Sequence, residues 1–229
     1  GLLTKSGLLF LGKADVIREF LGAYEYRFSR KTRDGKLPVN EVWEDCLWET
    51  IKRAKAHFNS CNNSLPLDFE GKKYSVQLLD EVAFHEAYLN ALVHRDYSAD
   101  GMVSVNFTED RLIVTNPGSF YGGVSSDNIA KHEPRHRNKA LAKMLMEYHM
   151  VDRAGMGVVR MSINSLRYGR AFPAFLERGA TIEVAMQGEY LRPGIFVITA
   201  DATNFGVPEL LILNSVYETG SVAVQSLLN

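Results

Sequence analysis

The chain has 229 residues, with 26 Lys and Arg against 27 Asp and Glu, giving a formal net charge of −1. Hydrophobic residues make up 46% and charged residues 23%, the balance of a globular protein. That balance excludes a disordered chain, a collagen-like chain and a polybasic nucleic-acid coat, and no apolar run approaches the ~20 residues of a membrane-spanning helix. The length suits one or two domains. The apolar opening GLLTKSGLLFLGK is followed at once by acidic residues and shows no small-residue cleavage site, so it is not read as a signal peptide. The chain opens on Gly1 rather than Met and is expected to be a fragment or to carry a tag remnant. Cys46 and Cys61 are the only cysteines, which excludes a disulfide framework and fits a reducing, cytoplasmic setting.

In chain order, Leu8–Leu11 is a short apolar run expected to be a buried strand, and Tyr24, Tyr26 and Phe28 alternate with charged neighbours as a strand does. Residues 1–40 hold too few apolar side chains for a domain of their own and are expected to be the tail of something upstream. A helix is predicted over 41–60, with Asn40 as its cap and Val42, Cys46, Leu47, Ile51, Ala54 and Phe58 near one face. A loop follows at 62–66, then a second helix over 76–93 with Ser75 as cap. Residues 102–107 and 111–115 alternate as a strand pair. The stretch 116–134 is rich in loop residues. Helices are predicted over 138–149 and from the Gly155-Met156-Gly157 segment onward, and Ile182, Val184 and Met186 mark a closing strand. This order is an α+β pattern. After Arg192-Pro193-Gly194, residues 208–217 read as a helix, Glu218-Thr219-Gly220 as a turn and 221–228 as a last short helix, the beginning of a helix-turn-helix.

Several motifs fail on their chemistry. Gly7-x4-Gly12-Lys13 lacks the Ser or Thr that a phosphate loop needs for Mg²⁺, since Ala14 follows. His85-Glu86 lacks a second His one turn on, because position 89 is Leu, and Pro134 spoils a helical pairing of His132 with His136. No zinc site and no nucleophile elbow is supported.

Glu86 and Asn90 carry more. They are four apart on a helix that is apolar nearly all round, so both must be buried. Buried polar side chains need partners or a ligand-filled cavity, and simple pairing with neighbouring backbone is the commoner outcome. Asn116-Pro117-Gly118 ends a strand as a tight turn. Gly155 and Gly157 open a helix, where free amides attract anions. Lys131 to Lys143 holds five basic residues and one acidic one, which suits phosphate or nucleic acid or simply a solvated face.

Taken together, EAYLNALVHRDYS (86–98), DRLIVTNPGSF (110–120), RHRNKALAKML (135–145) and DRAGMGVVRM (152–161) resemble the ATP-binding fold of gyrase, MutL and histidine kinases, the GHKL or Bergerat fold. The nearer resemblance is to its divergent branch in bacterial regulators labelled RecG-like or Schlafen/AlbA-type. It covers roughly residues 70–190. LLTKSGLLFLGK (2–13) also resembles the end of an AlbA-like domain, and the tail from about 205 resembles the start of a winged helix. The division this implies is 1–40 as the end of an upstream AlbA-like domain with its linker, 41–192 as a GHKL-like ATP-binding domain with an antiparallel or mixed sheet under helices, and 193–229 as a linker with the start of a winged helix.

The resemblance implies roles for particular residues. Glu86 matches the general base that activates water. Asn90 matches the Mg²⁺-binding Asn, its amide oxygen being a hard ligand. Asn116 falls where classical members have the Asp that accepts the adenine amino hydrogen. Gly118 keeps that turn open, residues 119–154 form the nucleotide lid, Arg137 and Lys139 are its candidate cations, and Gly155 and Gly157 admit phosphate to backbone amides. His85 stands where relatives commonly have Arg, Lys139 where they commonly have Pro, and the classical Asp-x-Gly-x-Gly box is reduced to Asn-Pro-Gly. The implied cofactors are ATP and Mg²⁺, and the implied partner of the full-length protein is DNA, with no membrane. Self-association into a homo-oligomer is left open. Nothing resembles a helicase motor, so unwinding is not supported. The reading is a nucleotide-switched, ATP-binding and potentially ATP-hydrolysing domain of a transcriptional regulator. The alternatives are a non-catalytic DNA-binding or interaction scaffold with a degenerate pocket, and a site for another anion at Gly155–Gly157.

Overall fold

The structure is a computed structural model and describes residues 3–129, 132–133, 135–151, 156–188, 192–199 and 205–220. Eight strands form a six-stranded sheet and a separate two-stranded hairpin, with eight helices among the described residues, a mixed α+β architecture. The large sheet runs β2 (Val39–Trp43), β1 (Tyr26–Arg30), β5 (Val103–Phe107), β6 (Arg111–Pro117), β8 (Thr181–Gln187), β7 (Ala174–Arg178). The β1–β5 pairing is parallel and the others are antiparallel. β5, β6 and β8 alternate buried with partly exposed residues, as strands with one face on a core must. The hairpin joins β3 (Ser64–Phe69) to β4 (Lys72–Gln77).

The buried face of the sheet is covered by α3 (Leu47–Cys61) and α4 (Glu81–His94). α4 is the centre of the molecule. Ala83, Phe84, Ala87, Tyr88, Leu89, Ala91, Leu92 and Val93 are all buried along it, as expected of a helix apolar on every side. Phe58 of α3 stacks on Phe84 at 4.2 Å between ring centroids and meets Phe107 of β5 edge-on. Asp80, rather than Ser75, caps α4 by accepting from the Ala83 amide at 2.9 Å. Residues 76 and 77, expected to begin that helix, end β4 instead.

The amino-terminal segment departs most from expectation. Leu8–Leu11 lies in a helix, α1 (Lys5–Leu11), followed by α2 (Ala14–Leu21). Thr4 caps α1 through its hydroxyl, which accepts from the Gly7 amide at 3.0 Å. A four-residue apolar run has no period to separate strand from helix, so the cap decides. β1 and β2 are then strands of the main sheet, and Phe10, Ile17, Tyr26 and Phe28 lie in the same core as α4. The boundary expected at residue 40 falls inside β2, a strand of the main sheet. Residues 41–43 belong to β2 rather than to α3.

Helices α5 (Lys139–Glu147) and α6 (Gly157–Arg167) fall where the spacing predicted them. β7 and α7 (Pro193–Thr199) were not anticipated. α8 (Val207–Thr219) matches the predicted helix over 208–217, but it packs on α6 with α7 beside it and is part of this body. The expected helix over 221–228 lies outside the described residues.

Candidate functional site

Glu86 and Asn90 face α6 from α4. Gly157 is the first residue of α6, and a Cβ there would stand 2.7 Å from Glu86 Oε2 and 3.3 Å from Asn90 Nδ2. A side chain there would push the Glu86 carboxylate aside. Glu86 is 6% exposed, and Arg160, one turn into α6, places Nε 2.9 Å from its Oε1. The N–H is not aligned on the oxygen, so the contact is an ion pair more than a directed hydrogen bond. The Asn90 carboxamide makes no hydrogen bond among the described residues.

The other end of the site is built at the carboxyl end of β6. Asn116 pairs with Ile182 of β8 and is 3% exposed. Its Nδ2 donates to the Pro117 carbonyl at 3.2 Å, which leaves Oδ1 as an acceptor with no partner among the described residues. Gly118 follows at φ +127°, where a side chain would be strained and its Cβ would press on Asp96 at 3.3 Å. The turn is pinned on both sides: the Asp96 amide donates to Pro117 O and the Gly118 amide to Ala180 O, each at 2.8 Å.

Between these ends lies a cavity of about 160 Å³. Glu86, Asn90, Gly157 and Asn116 all line it, with Phe175, Ile182 and Val184 from the sheet and Phe120, Tyr121 and Ile129 from the segment after β6. Glu86, Asn90, Asn116 and Gly157 are thus brought together. Gly118 is not in the lining and acts by shaping the turn.

Arg137 and Lys139, expected as lid cations, do not line the cavity. Arg137 donates to Asp96 Oδ2 at 3.2 Å and Ser119 O at 3.0 Å, and lies over the Tyr121 ring. It braces the turn after β6. Lys139 is an exposed first residue of α5. Gly155 lies outside the described residues. The basic stretch is also less cationic in place than in sequence. Arg135 and Lys143 each stand 3.9 Å from a carboxylate, of Glu133 and Glu147 respectively, and Arg137 is paired internally.

Sequence reasoning missed three residues here. Asn138 donates to the carbonyls of Val93 and Arg95, both at 2.8 Å, fastening the start of α5 to the end of α4. His94 and His136 both line the cavity, with ring centroids 5.6 Å apart. His94 stands in the last turn of α4, where positive charge is ordinarily favourable, but burial opposes it. Burial first, then His136 and Arg137, hold the His94 imidazole down at about 4, well below its ordinary 6.5. Burial lowers His136 too.

This has a consequence for stability. A His that is neutral when folded favours the folded state above pH 6.5, and that contribution is lost as the pH falls from 6.5 toward 4, because the unfolded chain takes up the proton first. The loss at pH 4 is on the order of 3 kcal/mol. Urea unfolding at pH 5 and 7 should show the slope, and His94→Gln should flatten it. An unchanged slope in that variant would assign the effect elsewhere.

Among the described residues, no group of three or more His, Cys, Asp or Glu could hold a metal ion on its own. Asn90 with one flanking carboxylate could contribute to Mg²⁺ only alongside ligand oxygens and water, the usual arrangement for that ion. No helix among the described residues is long and apolar enough to cross a membrane.

Comparison with known proteins bears on this arrangement. Residues 100–186 match the family described as "Putative ATP-dependent DNA helicase recG C-terminal". The match covers little more than a third of the chain. It begins after α4, so Asn116, Gly118, Arg137, Lys139, Gly155 and Gly157 lie inside it, and Glu86 and Asn90 outside. The curated proteins contain no sequence match. Among solved structures, the fold is shared with the crystal structure of the DIP2311 protein from Corynebacterium diphtheriae, at a TM-score of 0.77 and 22% identity over 97% of this chain. The present chain spans 45% of the length of that protein. That family match makes the stretch over 100–186 similar to an ATPase-like domain.

Proposed function

We propose that this chain carries the ATP-binding domain of a cytoplasmic, DNA-binding transcriptional regulator, in which bound Mg-ATP acts as a switch and is slowly hydrolysed. The observation that supports the reading is that Glu86, Asn90 and Gly157 line the same cavity as the buried acceptor Asn116. The polarity of the walls matches the ligand. An adenine would lie on Phe175, Ile182 and Val184 with its amino group toward Asn116 Oδ1, since the Asn116 amide nitrogen is already committed to Pro117. The triphosphate would meet the first turn of α6, where amide groups and the helix dipole favour negative charge.

Mg²⁺, when bound, would offset phosphate charge, with Asn90 as its protein ligand. Glu86 would accept a proton from the attacking water. Its burial among apolar residues removes competing solvent, and a base must lie within hydrogen-bond reach of that water to act. Hydrolysis or release would then alter the lid expected over 119–154, in which Asn138 is fastened to α4 and Arg137 to the β6 turn. Two free, buried cysteines suit a reducing compartment. The regulator and its DNA partner rest on the resemblance of the sequence to such proteins. The non-catalytic DNA-binding scaffold would rest on the basic residues over 135–143, of which Arg137 is held by Asp96 and Ser119.

Asn116→Leu tests the base end. It keeps the volume and removes the acceptor, so adenosine and ATP should both bind at least about tenfold more weakly by calorimetry, a loss of ~1.4 kcal/mol or more. Equal affinity in this variant would move the base elsewhere.

A further inference from the structure

Arg160 has no part in the roles described so far, yet it touches the proposed base. Its Nε is 2.9 Å from Glu86 Oε1, and the other oxygen of that carboxylate faces the backbone of Gly157. Both oxygens of Glu86 are therefore turned toward α6. Arg160 lies on the first turn of α6, and its amide bonds back to the Met156 carbonyl at 2.8 Å. That is the turn the triphosphate would approach. One guanidinium, itself outside the cavity lining, thus contacts a buried carboxylate from the same helical turn that a second, more highly charged anion would approach.

We propose that Arg160 is a positioning residue that exchanges partners. Without nucleotide it holds Glu86. When a phosphate chain reaches the start of α6, the guanidinium transfers to it, and Glu86 is released to orient water. The inference rests on the ATP-binding reading of the site and deepens it by supplying a link between phosphate occupancy and the base. The chemistry favours the exchange. A guanidinium binds phosphate oxygens through two parallel N–H donors, and its Nε approach to Glu86 Oε1 is oblique. Removing a carboxylate's partner inside a protein is unfavourable, so the pair persists until another anion competes.

The exchange makes a prediction that a purely structural ion pair does not. Glu86→Gln removes the competitor for Arg160, so Mg-ATP should bind about tenfold tighter than to the parent chain, with adenosine unchanged. Arg160→Gln should weaken Mg-ATP about tenfold, again with adenosine unchanged. In the Arg160→Gln background, adding Glu86→Gln should give no further tightening. Arg160→Lys, which keeps charge but not the fork, should lie between parent and Arg160→Gln. Calorimetry on the folded chain with Mg-ATP and adenosine as probes reads all four. Tightening by Glu86→Gln that persists in the Arg160→Gln background would reduce the effect to simple charge repulsion and overturn the exchange. So would unchanged ATP affinity in Glu86→Gln. If the parent binds neither adenosine nor Mg-ATP, the ATP-binding reading itself fails and takes the exchange with it. Binding by the parent without the predicted pattern refutes the exchange alone.

Discussion

A chain trimmed to residues 41–229 is expected not to fold. The cut removes α1, α2 and β1 and takes the first two residues of β2. β1 lies inside the sheet between β2 and β5, so its loss leaves β5 as an unpaired edge. Phe10, Tyr26 and Phe28 are 0% exposed and Ile17 4%. Burying each large side chain contributes roughly 1.5–3 kcal/mol, so the four together are worth on the order of 6–12 kcal/mol, comparable to the whole ~5–15 kcal/mol stability of a typical domain. Circular dichroism and thermal unfolding would check this. The trimmed chain should show no cooperative transition, and a transition near the parent's Tm would restore the boundary at residue 40.

Glu86→Gln should lower ATP turnover at least about 100-fold, the usual contribution of a positioned general base. The substitution keeps the side chain's size and its place against Gly157, so the fold is retained. Binding should survive, because the amide removes a negative charge from the phosphate end instead of a contact. Turnover followed by phosphate release, beside an ATP titration of the same sample, separates the two. Unchanged turnover would remove Glu86 from the role of base, and equal loss of binding and turnover would make it a binding group.

α4 was legible from its composition alone. A helix with Ala, Phe, Leu and Val on every side can only be central, and the two polar residues sharing one of its faces pointed to a cavity or a partner. The β5–β6 pair, α5 and α6 were legible from their periodicity. β1 was legible as a strand, but its parallel pairing with β5, some 75 positions away, leaves no local trace in the chain. Residues 1–40 were therefore assigned to a neighbouring domain. The hairpin of β3 and β4 was hidden because Pro66 and the charged residues around it resemble a loop, and a two-stranded edge tolerates both. At the site, Glu86, Asn90, Asn116 and Gly157 carried motif spacing and converge on the cavity. Arg137 carried the right charge in the right segment, yet its guanidinium is held by Asp96 and Ser119. Charge can be read from sequence, but direction cannot. Arg160 had no spacing signal, because its partner lies on another helix.

The central claim is that this cavity binds Mg-ATP through Asn90. Calorimetric titration of the folded chain with Mg-ATP, with Asn90→Ala beside it, tests that claim most directly. The account predicts binding with a Kd of about 1 mM or tighter, ~4 kcal/mol or more, that disappears in Asn90→Ala while both proteins unfold cooperatively. Absence of binding by the parent chain, or equal binding by Asn90→Ala, would contradict it.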